Sequence, residues 1–83
     1  MANIEWANDA VSDLEKLDRN IATRIVKKLS WLAENFENIT PEPLSGKLKG
    51  TYKFRVGDYR IVYTLEKDVI IIKFIGHRKE IYR

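Results

Sequence analysis

The sequence predicts an α+β fold: an N-terminal strand and a helical hairpin packed on one face of an antiparallel sheet. Three observations lead there. Before residue 38 the apolar residues recur at helical spacing, and the longer of the two stretches contains neither proline nor glycine. After Thr51 they recur at every second residue, the period of a strand. Between the two, Ile39 to Gly50 contains Pro41, Pro43, Gly46 and Gly50, which cannot continue a helix and reads as a loop feeding the sheet.

The elements follow in order. Asn3 to Ala7 is a short opening strand with Ile4 and Trp6 on one side and Glu5 on the other. Asn8 or Asp9 caps a first helix whose stripe is Ala10, Val11, Leu14 and Leu17. Asp18-Arg19-Asn20 is a tight connection, and Asp18 or Asn20 caps a second helix from Arg19 to about Asn38, with Ile21, Ile25, Leu29, Leu32 and Phe36 on its buried stripe. Trp31 stands one position off that stripe, at the edge of the core. Arg24, Lys27 and Lys28 lie on the solvated side.

The final stretch, TYKFRVGDYRIVYTLEKDVIIIKFIGHRKEIYR, is a three-strand meander with one apolar and one cationic face. Gly57-Asp58 is a two-residue turn, glycine supplying the positive φ that such a hairpin needs. It predicts a register in which Val56 faces Tyr59, Arg55 faces Arg60, Phe54 faces Ile61, Lys53 faces Val62 and Tyr52 faces Tyr63. A second turn at Glu66-Lys67 would set Tyr63 beside Ile70, Ile61 beside Ile72, Tyr59 beside Phe74 and Lys73 beside Arg60. Tyr52, Phe54, Ile61, Tyr63, Ile70, Ile72 and Phe74 then form the face under the helices. Lys53, Arg55, Arg60 and Lys73 share the other. Two arginines directly opposite each other cost on the order of 0.2–1 kcal/mol, and a polyanion relieves the crowding because phosphates accept paired hydrogen bonds from guanidinium groups. Solvent-facing charges balanced by glutamates or a partner protein are the other reading of such a face. Lys47 and Lys49, just before the meander, extend the basic surface or are ordinary loop lysines.

Composition narrows the chemistry. The chain has 83 residues, 45% hydrophobic and 33% charged, which fits one domain spanning 1–83. There is no cysteine, so thiol nucleophiles and thiolate metal sites are excluded, and a lone histidine, His77, leaves little for zinc. No apolar run is long enough to span a bilayer and MANIEW lacks signal-peptide character, so a cytoplasmic protein is expected. The net charge of +3 suits an anionic partner. No triad, carboxylate pair or phosphate-cradling glycine loop is present. A set of cations with few acid–base groups suits one bond cleavage well, that of the RNA phosphodiester. There the 2′-hydroxyl of the substrate is the nucleophile, and the enzyme positions it and neutralises charge. Lys53, set among cations that disfavour a further positive charge, and His77, the chain's one imidazole, are both candidate bases.

The order of a helical hairpin, LSGKLKGTYKFRVGDYRIVY and a closing GHRKEIY resembles the RelE/ParE superfamily of bacterial toxins, and within it the RelE branch. The resemblance covers nearly the whole chain. It implies an mRNA interferase that cuts messenger in the ribosomal aminoacyl site without a metal or other cofactor and is held inactive by a cognate antitoxin. It also implies roles. Lys53 and Arg55 match the two cationic positions of the first meander strand, with Lys53 a general-base candidate. Arg60 matches the arginine that contacts the scissile phosphate, Arg78 a general acid or phosphate clamp, and Tyr82 the tyrosine that stacks on or orients a base. Familiar members have lysine where this chain has Arg55 and where it has His77, and they space Arg78 and Tyr82 further apart. A ParE-like inhibitor of DNA gyrase and a noncatalytic RNA-binding module are the alternatives from other functional classes.

Overall fold

The computed structural model describes residues 2–44 and 50–77. Alternation of Ile4 and Trp6 with polar neighbours gives β1 (Asn3–Trp6), whose two apolar side chains pack against the core. Helix α1 (Asn8–Glu15) starts directly at Asn8 with Ala7 in the cap position and no side-chain cap, where Asn8 or Asp9 was the expected cap. Asp18 caps α2 (Arg19–Glu34) as expected, its carboxylate accepting from Asn20 N–H at 3.1 Å. The helix ends four residues before Asn38, and a 3-10 turn over Phe36–Asn38 replaces the rest. Ile39–Gly50 is not entirely loop: Glu42–Pro43 forms β2, a two-residue edge strand on which proline's missing N–H is tolerated. The meander is β3 (Tyr52–Val56), β4 (Tyr59–Glu66) and β5 (Val69–His77).

The strands lie in the order β1-β5-β4-β3-β2. The meander and β2 are antiparallel, and β1 joins β5 in parallel with Ile4 beside Ile70 and Trp6 beside Ile72, so the five-stranded sheet is mixed. Ile25, Leu29, Leu32 and Ala33 of α2 and Ala10 of α1 bury against Val56, Ile61, Tyr63, Ile70, Ile72 and Ile75. No helix among the described residues is long and apolar enough to cross a membrane.

The β3–β4 register is the expected one at all five pairs. The β4–β5 register is not. The turn falls on Lys67-Asp68, with Lys67 at φ +54°, so Glu66 faces Val69 and Tyr63 faces Ile72. An irregularity between Val62 and Tyr63 then inserts one extra β5 residue, Lys73, after which Val62 faces Phe74, Ile61 faces Ile75 and Arg60 faces Gly76. The displaced turn moves the register by two residues and keeps each side chain on its face; the extra residue reverses the faces beyond it. Ile70 and Ile72 therefore stay in the core as expected, Ile75 takes the place expected for Phe74, and Phe74 goes to the cationic side.

Candidate functional site

Alternation along β3 and β4 puts Lys53, Arg55 and Arg60 on the sheet face away from the helices, and Arg55 and Arg60 are directly opposed. Lys73, expected beside Arg60, is instead an exposed residue at the bulge. Gly76 stands in its place, so Arg60 has a like charge on one flank and no side chain on the other. The face has an apolar floor that the sequence pattern hid. Val62, fully buried yet outside the helix-side core, lies between Lys53 and the half-buried Phe74. Cations set around an apolar floor bind an anion more strongly than cations in open water, because the local dielectric is lower.

Each side chain is held differently. Lys53 is 21% exposed and meets the Glu42 carboxylate at 3.6 Å across the β2–β3 pair. Arg55 is exposed, and its Nε donates to the Gly57 carbonyl at 3.1 Å, which folds the guanidinium back over the turn. Arg60 is half-buried. His77 is elsewhere. Its ring meets Tyr59 edge-on at 5.5 Å, on the helix side, where the two share a depression with Asp13 of α1 and Lys16 at the end of that helix. The sheet thus separates the His77 ring from Lys53 and Arg60. Lys47, Lys49, Arg78 and Tyr82 lie outside the described residues.

Beneath the site, burial, with Tyr52 and Glu42 nearby, pushes the Tyr63 phenol up to about 12. Tyr63 stacks on Tyr52 at 5.6 Å and anchors β3 to β4 at the end where Lys53 sits. Tyr63 was expected only as a core residue; its partnership with Tyr52 follows from the Gly57-Asp58 register.

A family model described as "ParE toxin of type II toxin-antitoxin system, parDE" matches residues 4–82. Toxin RelG of Mycobacterium tuberculosis is 28% identical over 82 residues, covering 96% of this chain and 94% of that protein. Among solved structures, the RelBE2 toxin-antitoxin complex of Mycobacterium tuberculosis superimposes with a TM-score of 0.80 at 26% identity, covering 93% of this chain and 98% of that one. The RelB-RelE antitoxin-toxin complex of Methanococcus jannaschii gives a TM-score of 0.69 at 30% identity, with 93% of each chain covered. With a match from Ile4 almost to the last residue and the same two-helix, mixed-sheet fold, the chain belongs to the ParE toxin family of type II toxin-antitoxin systems, within the RelE/ParE superfamily.

Proposed function

We propose that this toxin is a ribosome-dependent mRNA interferase, held inactive by a cognate antitoxin. The observation that carries the reading is the opposed Arg55–Arg60 pair with Lys53 on the same face. Like charges set directly opposite each other repel, and a phosphodiester accepts hydrogen bonds from both guanidinium groups at once. The RelE and RelG names of the relatives support the RNA-cutting branch, and both solved structures named above are toxin-antitoxin complexes.

Arg60 and Arg55 bind the non-bridging oxygens of the scissile phosphate and offset the charge that builds in the transition state. The 2′-oxygen attacks phosphorus, its proton passes to a base, and the 5′-oxygen leaves with a proton from an acid, giving a 2′,3′-cyclic phosphate. Lys53 is the base that shares a face with the arginines, and it must open its contact with Glu42 to serve. Arg78 supplies the acid or a second clamp, and Tyr82 stacks on or orients a base. Lys47, Lys49 and Lys73 contribute to RNA binding, and His77 to a more distant contact. Messenger presented by the ribosome would supply positioning that so small a site lacks. Such a target requires a cytoplasmic location.

Mapping cut sites in cellular mRNA after induction, beside a gyrase supercoiling assay, tests the reading. Position-specific cleavage with untouched supercoiling is expected. Inhibited supercoiling with intact messenger would mean a gyrase-binding toxin instead, in keeping with the ParE name of the matching family model.

A further inference from the structure

Along its outer flank β5 is held first by a strand and then by a helix. β1 pairs with it from Asn3 beside Val69 to Trp6 beside Ile72, and the Ala7 N–H donates to the Ile72 carbonyl at 2.9 Å. Further along, α1 takes over: Asp13 Oδ2 accepts the Ile75 N–H at 3.0 Å. The carboxylate reaches the strand because Asp13 lies one turn on from Ala10, which is fully buried, and next to Leu14, which packs against the core. A carboxylate acceptor makes a stronger bond than the neutral carbonyl it replaces.

The contact falls just past the bulge, after which Val62 faces Phe74, Ile61 faces Ile75 and Arg60 faces Gly76. A strand continuing from the Tyr63–Ile72 pair without the extra residue would instead set Val62 opposite Lys73, Ile61 opposite Phe74 and Arg60 opposite Ile75. The two registers bury similar groups on the helix side, Ile75 in one and Phe74 in the other, so packing discriminates weakly between them. They differ beside Arg60. The bulged register gives it the backbone of Gly76 as a neighbour, and the other gives it the branched side chain of Ile75 on the same face as the guanidinium. Because the Ile75 N–H is turned to Asp13, Ile75 and Ile61 are a non-hydrogen-bonded pair of the β4–β5 ladder. The edge-on contact of His77 with Tyr59 belongs to the same register, but Asp13 reaches it from outside the meander.

We infer that Asp13 is a positioning residue for Arg60: by holding Ile75 it selects the bulged register and keeps Gly76, rather than a branched side chain, beside the guanidinium. Asp13 acts through β5 from the helix side. The inference rests on the nuclease reading above, in which Arg60 grips the scissile phosphate. A misplacement of about 1 Å at such a group lowers the rate by about 10²-fold.

The test uses the full chain, with single-turnover cleavage of ribosome-bound mRNA and the Ile61–Ile75 Hα–Hα contact followed by NMR, a short contact in a non-hydrogen-bonded pair. Asp13→Ala is expected to weaken that contact and to lower the maximal cleavage rate at least tenfold at a temperature where the chain stays folded. Asp13→Asn, which keeps a carbonyl acceptor, should restore both to within about threefold. Deletion of Lys73 separates positioning from stability, because the chain then reaches the Val62–Phe74 and Arg60–Gly76 pairs without a bulge. In that background, whatever its own rate, adding Asp13→Ala should change cleavage less than about twofold, whereas a purely structural role would lower it in both backgrounds. An Asp13→Ala chain that keeps the Ile61–Ile75 contact, or that loses it and cleaves at the parental rate, overturns the inference. So does an equal loss with and without Lys73, or unfolding of Asp13→Ala in both backgrounds. A parent that cuts no messenger removes the nuclease reading and the positioning role together, while the NMR contact still reports whether Asp13 sets the register.

Discussion

The two faces of the β3–β4–β5 meander are made by the same strands and follow opposite rules. The helix-side face holds Ile61, Tyr63, Ile70 and Ile72, each at most 1% exposed, and every neighbour there adds to the burial of the next. The opposite face puts Arg55 against Arg60 and buries Val62 among cations, an arrangement that packing alone does not favour. One face sets the register; the other carries the opposed arginines. In a small domain, whose stability is usually at the low end of about 5–15 kcal/mol, that division has measurable consequences.

The largest expected effect is on the helix-side face. Ile72→Ala removes a fully buried side chain between α1, β1 and β4 and should cost about 2–5 kcal/mol in urea unfolding. A loss below 1 kcal/mol would mean that this face does not hold the sheet. Next comes pH. The Tyr63 proton is retained to about 12 in the fold, against about 10 unfolded. Its contribution is therefore complete below pH 10 and lost as pH rises from 10 to 12, to a total of about 2–3 kcal/mol. Tyr63→Phe should flatten that part of the pH–stability profile, and an unchanged slope would rule Tyr63 out as its source. Asp13→Ala leaves the Ile75 N–H without its carboxylate and should cost about 1–3 kcal/mol, with faster amide exchange at Ile75. Gly57→Ala places a Cβ at φ +58°, 3.3 Å from Arg24 Nη1, and should cost about 1–2 kcal/mol. On the cationic face, Glu42→Gln removes a carboxylate that is itself 68% exposed and should move stability by less than about 1 kcal/mol.

How far the sequence could be read also differs between regions. Gly57-Asp58 marks its turn without ambiguity, so all five β3–β4 pairs, and with them the Arg55–Arg60 opposition, follow from one glycine with positive φ. The β4–β5 turn has no glycine. Lys67 adopts positive φ at a position that nothing in its side chain signals. The extra residue at Lys73 sits in a run, VIIIKFI, whose isoleucines satisfy either face, so hydrophobic alternation could not reveal that Phe74 and Ile75 exchange sides. Trp31, one position off its stripe, was expected at the edge of the core and is instead an exposed side chain, 49% accessible, that stacks on Phe54. That stacking was not legible, because spacing alone set Phe54 under the helices and said nothing of which helical side chain it would meet.

In the reading proposed above, the cationic face acts on RNA rather than holding the fold. Single-turnover cleavage of ribosome-bound mRNA by Arg60→Ala, measured alongside its thermal unfolding, tests it most directly. A loss of cleavage on the order of 10²–10³-fold is expected, the usual cost of one charge-stabilising donor, well beyond any loss that follows from unfolding. Cleavage at the parental rate, or a loss that merely tracks unfolding, would contradict it.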